Sequence, residues 1–145
     1  MTTLDRIKGS FAAVFMAVLL PTTPVLAGEA EVNAAQSVID SQIKAFLSDD
    51  NATAYSFASP TIKQMFPSVE AFMKMVTGAY KPVWKPQAYS FGKSVEPDGR
   101  QIVQQVLVTG PDGKDYEAVY TLMLQDDGTY KITGVHLREA VTAGA

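Results

Sequence analysis

From Glu31 to Ser48 the apolar residues Ala35, Val38, Ile39, Ile43, Phe46 and Leu47 recur every three or four positions, while Asn33, Gln36, Asp40 and Lys44 take the other face. That period predicts an amphipathic helix. Asp49-Asp50 interrupts it. Ala54, Tyr55, Phe57 and Ala58 then predict a second, short helix ended by Ser59-Pro60, because the residue before a proline is pushed out of the helical region. The stretch from Pro60 to Pro67 is too short and broken to hold a strand. A third helix is expected from Ser68, with Val69, Phe72, Met73, Val76 and Tyr80 on one stripe. Ser68 is placed as its N-cap, and Glu70 lies near the positive end of the helix dipole.

After Gly78 the pattern changes. Tyr80-Lys81-Pro82-Val83-Trp84-Lys85-Pro86 carries two prolines and is expected to be an extended, non-helical connection. Downstream the period is two: Tyr89, Phe91 and Val95 alternate with Ser90 and Ser94, and Ile102, Val106 and Val108 follow. Tyr116, Ala118, Tyr120, Leu122 and Leu124 come next, then Tyr130 and Ile132. Pro97-Asp98-Gly99, Pro111-Asp112-Gly113 and Asp126-Asp127-Gly128 separate the four strands, each supplying a glycine for the positive φ of a tight turn. Helices first and a four-stranded antiparallel meander last predict an α+β domain with helices covering one face of a curved sheet, as a cone. Val103 and Leu107 add apolar character to the other parity, so a second copy of the chain is a candidate cover for the outer face, giving a homodimer.

The first residues change the picture of where this domain works. Arg6 and Lys8 precede an apolar run from Phe11 to Leu20, and Val25-Leu26-Ala27 closes a Pro-Thr stretch. This is the layout of a secretory signal peptide cleaved after Ala27, which predicts a periplasmic or secreted protein. Its apolar run is shorter than the roughly 20 residues needed to span a bilayer, so no lasting membrane anchor is expected. Removing 27 residues from 145 leaves 118, residues 28–145, enough for one domain. Without Arg6, Lys8 and Asp5 the remainder holds 10 basic and 14 acidic residues, a formal charge of −4. Nucleic-acid binding is not expected of such a balance. With no cysteine there is no disulfide, thiolate metal site or thiol nucleophile.

The run from Asp49 to Pro60, DDNATAYSFASP, followed by Ile62-Lys63-Gln64-Met65-Phe66, Tyr80-x-x-Val83-Trp84-x-Pro86 and Tyr130-Lys131-Ile132-Thr133-Gly134-Val135, resembles the bacterial domain-of-unknown-function family numbered 4864. The likeness covers most of the chain after the leader. That family is similar in layout to the nuclear-transport-factor-2-like superfamily, whose members set a cone of helices over a curved sheet. They include isomerases, dehydratases, polyketide cyclases and non-enzymatic binding domains. The resemblance implies a fold and a pocket and no particular reaction. The chain departs from the superfamily in having little room for a strand between its second and third helices. The carboxylate base that the isomerase members set opposite a tyrosine has no matching position here.

Candidate chemistry is sparse. His136 is the only histidine. Strict alternation through Tyr130, Ile132 and Gly134 would place it on their face as a proton shuttle, whereas a bulge at Gly134 would turn it to solvent. One histidine with no cysteine is a poor start for zinc or iron, and the Asp-x-Asp-x-Asp calcium spacing is absent, so no metal and no cofactor are expected. Ser56 and Ser59 lie in no nucleophile elbow. The aromatic and methionine set, Tyr55, Phe57, Phe66, Phe72, Met73, Tyr80 and Trp84, reads either as ordinary core or as the wall of a small-molecule pocket with tyrosine hydroxyls as its polar fixtures. Trp84, between two Lys-Pro pairs, is expected at the pocket's mouth. Asp50 reads as the cap of the second helix rather than as a catalytic acid.

The expected role is therefore non-enzymatic binding of a small apolar or amphipathic molecule, or of a protein partner, with pocket residues Tyr55, Phe57, Phe66, Met73, Tyr80, Trp84 and His136. The alternative is a small isomerase or hydrolase using His136 inside the cone.

Overall fold

A computed structural model describes residues 28–141, and the expected leader lies outside them. Helix α1 spans Glu29–Leu47, with Glu29 and Glu31 in its first turn and Lys44 in its last, matching the helix dipole at both ends. It stops at Asp49, which adopts a left-handed φ of 58°. The Asp49 amide returns to the Phe46 carbonyl at 3.1 Å and the Asp50 amide to Ala45 at 2.9 Å. These paired bonds satisfy carbonyls that a helix end leaves free. Asp50 is then the N-cap of α2, Asn51–Ser56, and its carboxylate accepts from the Thr53 amide at 3.3 Å. Lys85 ties the junction down by donating to Asp49 Oδ1 and to the Phe46 carbonyl, both at 2.7 Å.

Two prolines act differently from expectation. Ser59-Pro60 starts α3, Pro60–Met65, because Pro60 sits in the first turn, where a missing N–H costs nothing, and Ser59 accepts from the Ile62 amide at 3.3 Å. The second helix therefore ends at Ser56, with Phe57 still helical as its C-cap and Ser59 extended. Helix α4 spans Val69–Ala79, with the Ser68 side chain accepting from the Ala71 amide. The connection expected to be non-helical contains a further single turn, α5, Lys81–Trp84. Pro82 again occupies the first turn, and Pro86 comes only after the C-cap Lys85.

The sheet is an open antiparallel meander in the order β1-β2-β3-β4, formed by Ala88–Val95, Gln101–Thr109, Asp115–Leu124 and Tyr130–Glu139. Gly99, Gly113 and Gly128 take positive φ in the three turns. The α+β architecture is as the sequence pattern predicts. Ile102, Val106 and Val108 of β2 and Ala118, Tyr120 and Leu122 of β3 meet Ala35, Ile39 and Ile43 of α1 in the main core. A second core, Ala45, Phe46, Ala54, Ala58, Phe72 and Val76, holds the helices to one another. The Phe57 to Ser59 piece covers part of the β4 edge through a bridge of Ala58 to Ile132. Ser59 donates to the Ile132 carbonyl and Ile132 to the Phe57 carbonyl, each at 2.9 Å.

Two bulges reset the alternation. Pairing shifts between Phe91 and Ser94 of β1, so Ser94 turns inward opposite Gln104 and Val95 turns outward, 58% exposed. Val95 was expected beside Tyr89 and Phe91, and the extra residue explains the change. A second shift lies opposite Thr121 and Leu122, where Leu122 pairs with Ile132 but Thr121 pairs with Gly134.

Tyr89 fastens β1 to α1 by donating to Asp40 Oδ1 at 2.6 Å, while Lys44 pairs with the same carboxylate at 2.7 Å. Those two hydrogen bonds, Lys44 first, hold the Asp40 carboxyl below its usual range. Burial, then the bond to Asp40, pushes the Tyr89 phenol up to about 12. Asp40 therefore adds stability above the usual carboxylate pKa, lost as pH falls through its folded value. Tyr89 adds stability that is full below pH 10.0 and lost as pH rises towards about 12. Tyr89→Phe is expected to cost about 1 kcal/mol at neutral pH and to flatten both declines in denaturant melts across pH. Identical alkaline profiles for variant and parent would contradict this.

Candidate functional site

A cavity of about 240 Å³ lies on the seam between the two cores. Gln42 and Phe46 line it from α1, Ile62, Met65 and Phe66 from α3 and its end, and Phe72, Met75 and Val76 from α4. Tyr80 and Val83 close the side beside α5, and Tyr120, Ile132, Gly134 and Val135 form the sheet side. The helix ends described above set these positions. Capping by Ser59 and by Ser68 fixes where α3 and α4 begin, and the 3.6-residue turn places Phe72, Met75 and Val76 on one face. Met65, 64% exposed, stands at the rim.

Polar groups are few. Gln42 is buried and donates from Nε2 to the Ala54 carbonyl at 3.1 Å. Tyr120 is fully buried, and its hydroxyl has no hydrogen-bond partner among the described residues. Burial drives its phenol well above the ordinary tyrosine range. No acidic or basic side chain lines the cavity. Among the described residues no three His, Cys, Asp or Glu side chains gather as a metal site.

Of the residues singled out from sequence, Phe66, Phe72 and Tyr80 line this cavity. Tyr55 stands behind it: its ring packs on Phe72 with centroids 5.2 Å apart, and its hydroxyl donates to the Phe66 carbonyl at 2.6 Å. Phe57 packs against the main core, and Met73 packs against the second core, one position away from the lining face of α4. Trp84 was expected at a mouth; it packs against the second core, its Nε1 buried with no hydrogen-bond partner among the described residues. The α5 turn withdraws it from the loop position that an extended connection would have provided.

His136 follows the bulge. Val135 falls opposite Tyr120 and faces the helices, so His136, opposite Val119, is exposed on the outer face and does not reach the cavity. Its candidacy as a proton shuttle required the unbulged register. The sequence reading passed over Gln42, Met75 and Tyr120. The spacing of Phe72, Met75 and Val76 could have separated Met75 from Met73, but nothing local marks a buried glutamine as cavity lining.

The sequence model of a family described as "Domain of unknown function (DUF4864)" matches residues 29–145. The chain belongs to the DUF4864 family. No curated protein matches it. One of the stretches that carried the resemblance, Asp49 to Pro60, performs one structural task in this DUF4864 domain. Asp49 closes α1, Asp50 opens α2, and Ser59-Pro60 opens α3 beneath the cavity.

Proposed function

We propose that the domain is a non-enzymatic binder of a small apolar molecule, held in the cavity between the two cores. The observation that carries this reading is the lining: aromatic, aliphatic and methionine side chains, with Gln42, Tyr80 and Tyr120 as the polar side chains. Concave sites of this composition suit small-molecule binding. Proton transfer would need an acid or base of suitable pKa within reach of the reacting atom, and phenols are poor candidates near neutral pH. A volume of about 240 Å³ lies just under the span of drug-sized pockets, roughly 300–1,000 Å³, so the occupant is small.

The leader pattern supports an exported setting, periplasmic or secreted. Helices on one face of a meander, with a pocket between them, support kinship with the nuclear-transport-factor-2-like superfamily. A second reading rests on the outer sheet face, where Val95 and Leu107 are 58% and 45% exposed, and takes a second copy of the chain as the partner.

Native mass spectrometry of protein purified from its own host tests both readings. The expected result is a monomer mass carrying a small adduct that is lost on denaturation. A bare monomer that also fails to retain any added apolar compound would sink the binding reading, and a doubled mass without adduct would favour the sheet face.

A further inference from the structure

Resting on that binding reading, we infer that the cavity selects uncharged ligands bearing one hydrogen-bonding group, such as medium-chain alcohols or ketones, and rejects the matching carboxylates and amines. The lining supplies no formal charge of either sign. Three of the lysines near it in the chain are engaged elsewhere. Lys85 donates to Asp49 and the Phe46 carbonyl, Lys131 donates to the Ser56 carbonyl at 2.9 Å, and Lys63 lies 5.3 Å above the centre of the Tyr55 ring. An ionised headgroup in this cavity would be desolvated without a counter-charge, which is among the most expensive arrangements in a protein interior.

The same lining favours one neutral polar group. The Tyr120 hydroxyl is fully buried without a partner among the described residues, and a buried donor in that state is costly. Its raised pKa keeps it protonated, hence a donor, throughout the neutral range. A ligand hydroxyl or carbonyl oxygen can accept that hydrogen once the packing over Tyr120, which has no accessible surface of its own, gives way. Gln42, oriented by its bond to Ala54, adds a second neutral group on the α1 side. A fatty acid could enter only as its protonated form, whose population falls tenfold with each pH unit above the carboxyl pKa, roughly 4–5.

The test is displacement of a bound apolar fluorophore from the mature chain by octanol, octanoate, octylamine and chlorooctane. At pH 7 octanol is expected to bind about 100-fold or more tightly than octanoate or octylamine. Octanoate should gain about tenfold for each pH unit lowered while octanol stays level. Tyr120→Phe should weaken octanol about five- to tenfold and leave chlorooctane unchanged. Equal affinity of octanoate or octylamine and octanol at pH 7, or an equal effect of Tyr120→Phe on octanol and chlorooctane, would overturn the inference while leaving the binding reading intact. Failure of every compound to bind overturns both.

Discussion

Replacing Gln104 with alanine is expected to lower the unfolding free energy by about 3 kcal/mol, read as a fall in denaturant midpoint at unchanged slope. Gln104 is fully buried on the helix-facing side of β2. Its Nε2 shares two hydrogens among the carbonyls of Gly92 at 3.2 Å, Lys93 at 3.3 Å and Gln105 at 2.8 Å. Its Oε1 accepts from Gln36 Nε2 at 3.0 Å and from the Ser94 hydroxyl. Gly92 and Lys93 are the residues that the β1 bulge leaves out of register with β2, so one side chain satisfies the carbonyls that the ladder no longer reaches. Alanine leaves those carbonyls, the Gln36 amide and the Ser94 hydroxyl short of partners and adds a cavity. Gln104→Leu restores most of the volume and none of the bonds, so it should recover only part of the loss. A loss below about 1 kcal/mol for alanine would show that water replaces the side chain without cost.

The same residue marks the boundary of what sequence patterns convey. The meander was legible because Asp-Gly turns and period-two runs depend on neighbours in the chain, and Gly99, Gly113 and Gly128 take the positive φ that such turns use. The bulges were not. Ser94 and Val95 exchange faces because of a shift in pairing with β2, and no pattern within β1 states it. Gly134 offered two registers for His136, and pairing with β3 selected the outward one. Proline was ambiguous in the same way. The missing N–H of Pro60 and Pro82 forbids a helix interior but suits a helix start, and which applies depends on what lies beyond. The candidate site inherits this limit. Phe66 and Tyr80 were identifiable as large residues on the helical layer, whereas Tyr120 belongs to a strand whose periodicity announces core and says nothing of a cavity above it.

The largest effect is expected at Phe72. Its ring is 5% exposed, stacks on Phe46 with centroids 6.3 Å apart, tilts against Tyr55 and lines the cavity. Phe72→Ala removes the side chain on which both aromatic neighbours rest, so a loss of about 4 kcal/mol is expected, a large share of a typical domain's stability. The position also connects stability to function, because the space vacated is continuous with the cavity. If the cavity binds apolar molecules, one that fills the enlarged space stabilises the folded state, by about 2.7 kcal/mol at a concentration 100 times its Kd. Phe57→Ala is the control. That ring packs against the main core and does not line the cavity, so its removal should cost less and leave the ligand-induced shift at the parent's value. Thermal melts of the parent and both variants with and without a saturating apolar alcohol separate the cases. No ligand-induced shift in the parent or in Phe57→Ala would mean that the space between the cores is a packing defect rather than a site. A shift present in the parent and in Phe57→Ala but altered in Phe72→Ala ties the seam to binding, because of the two rings only Phe72 lines the cavity.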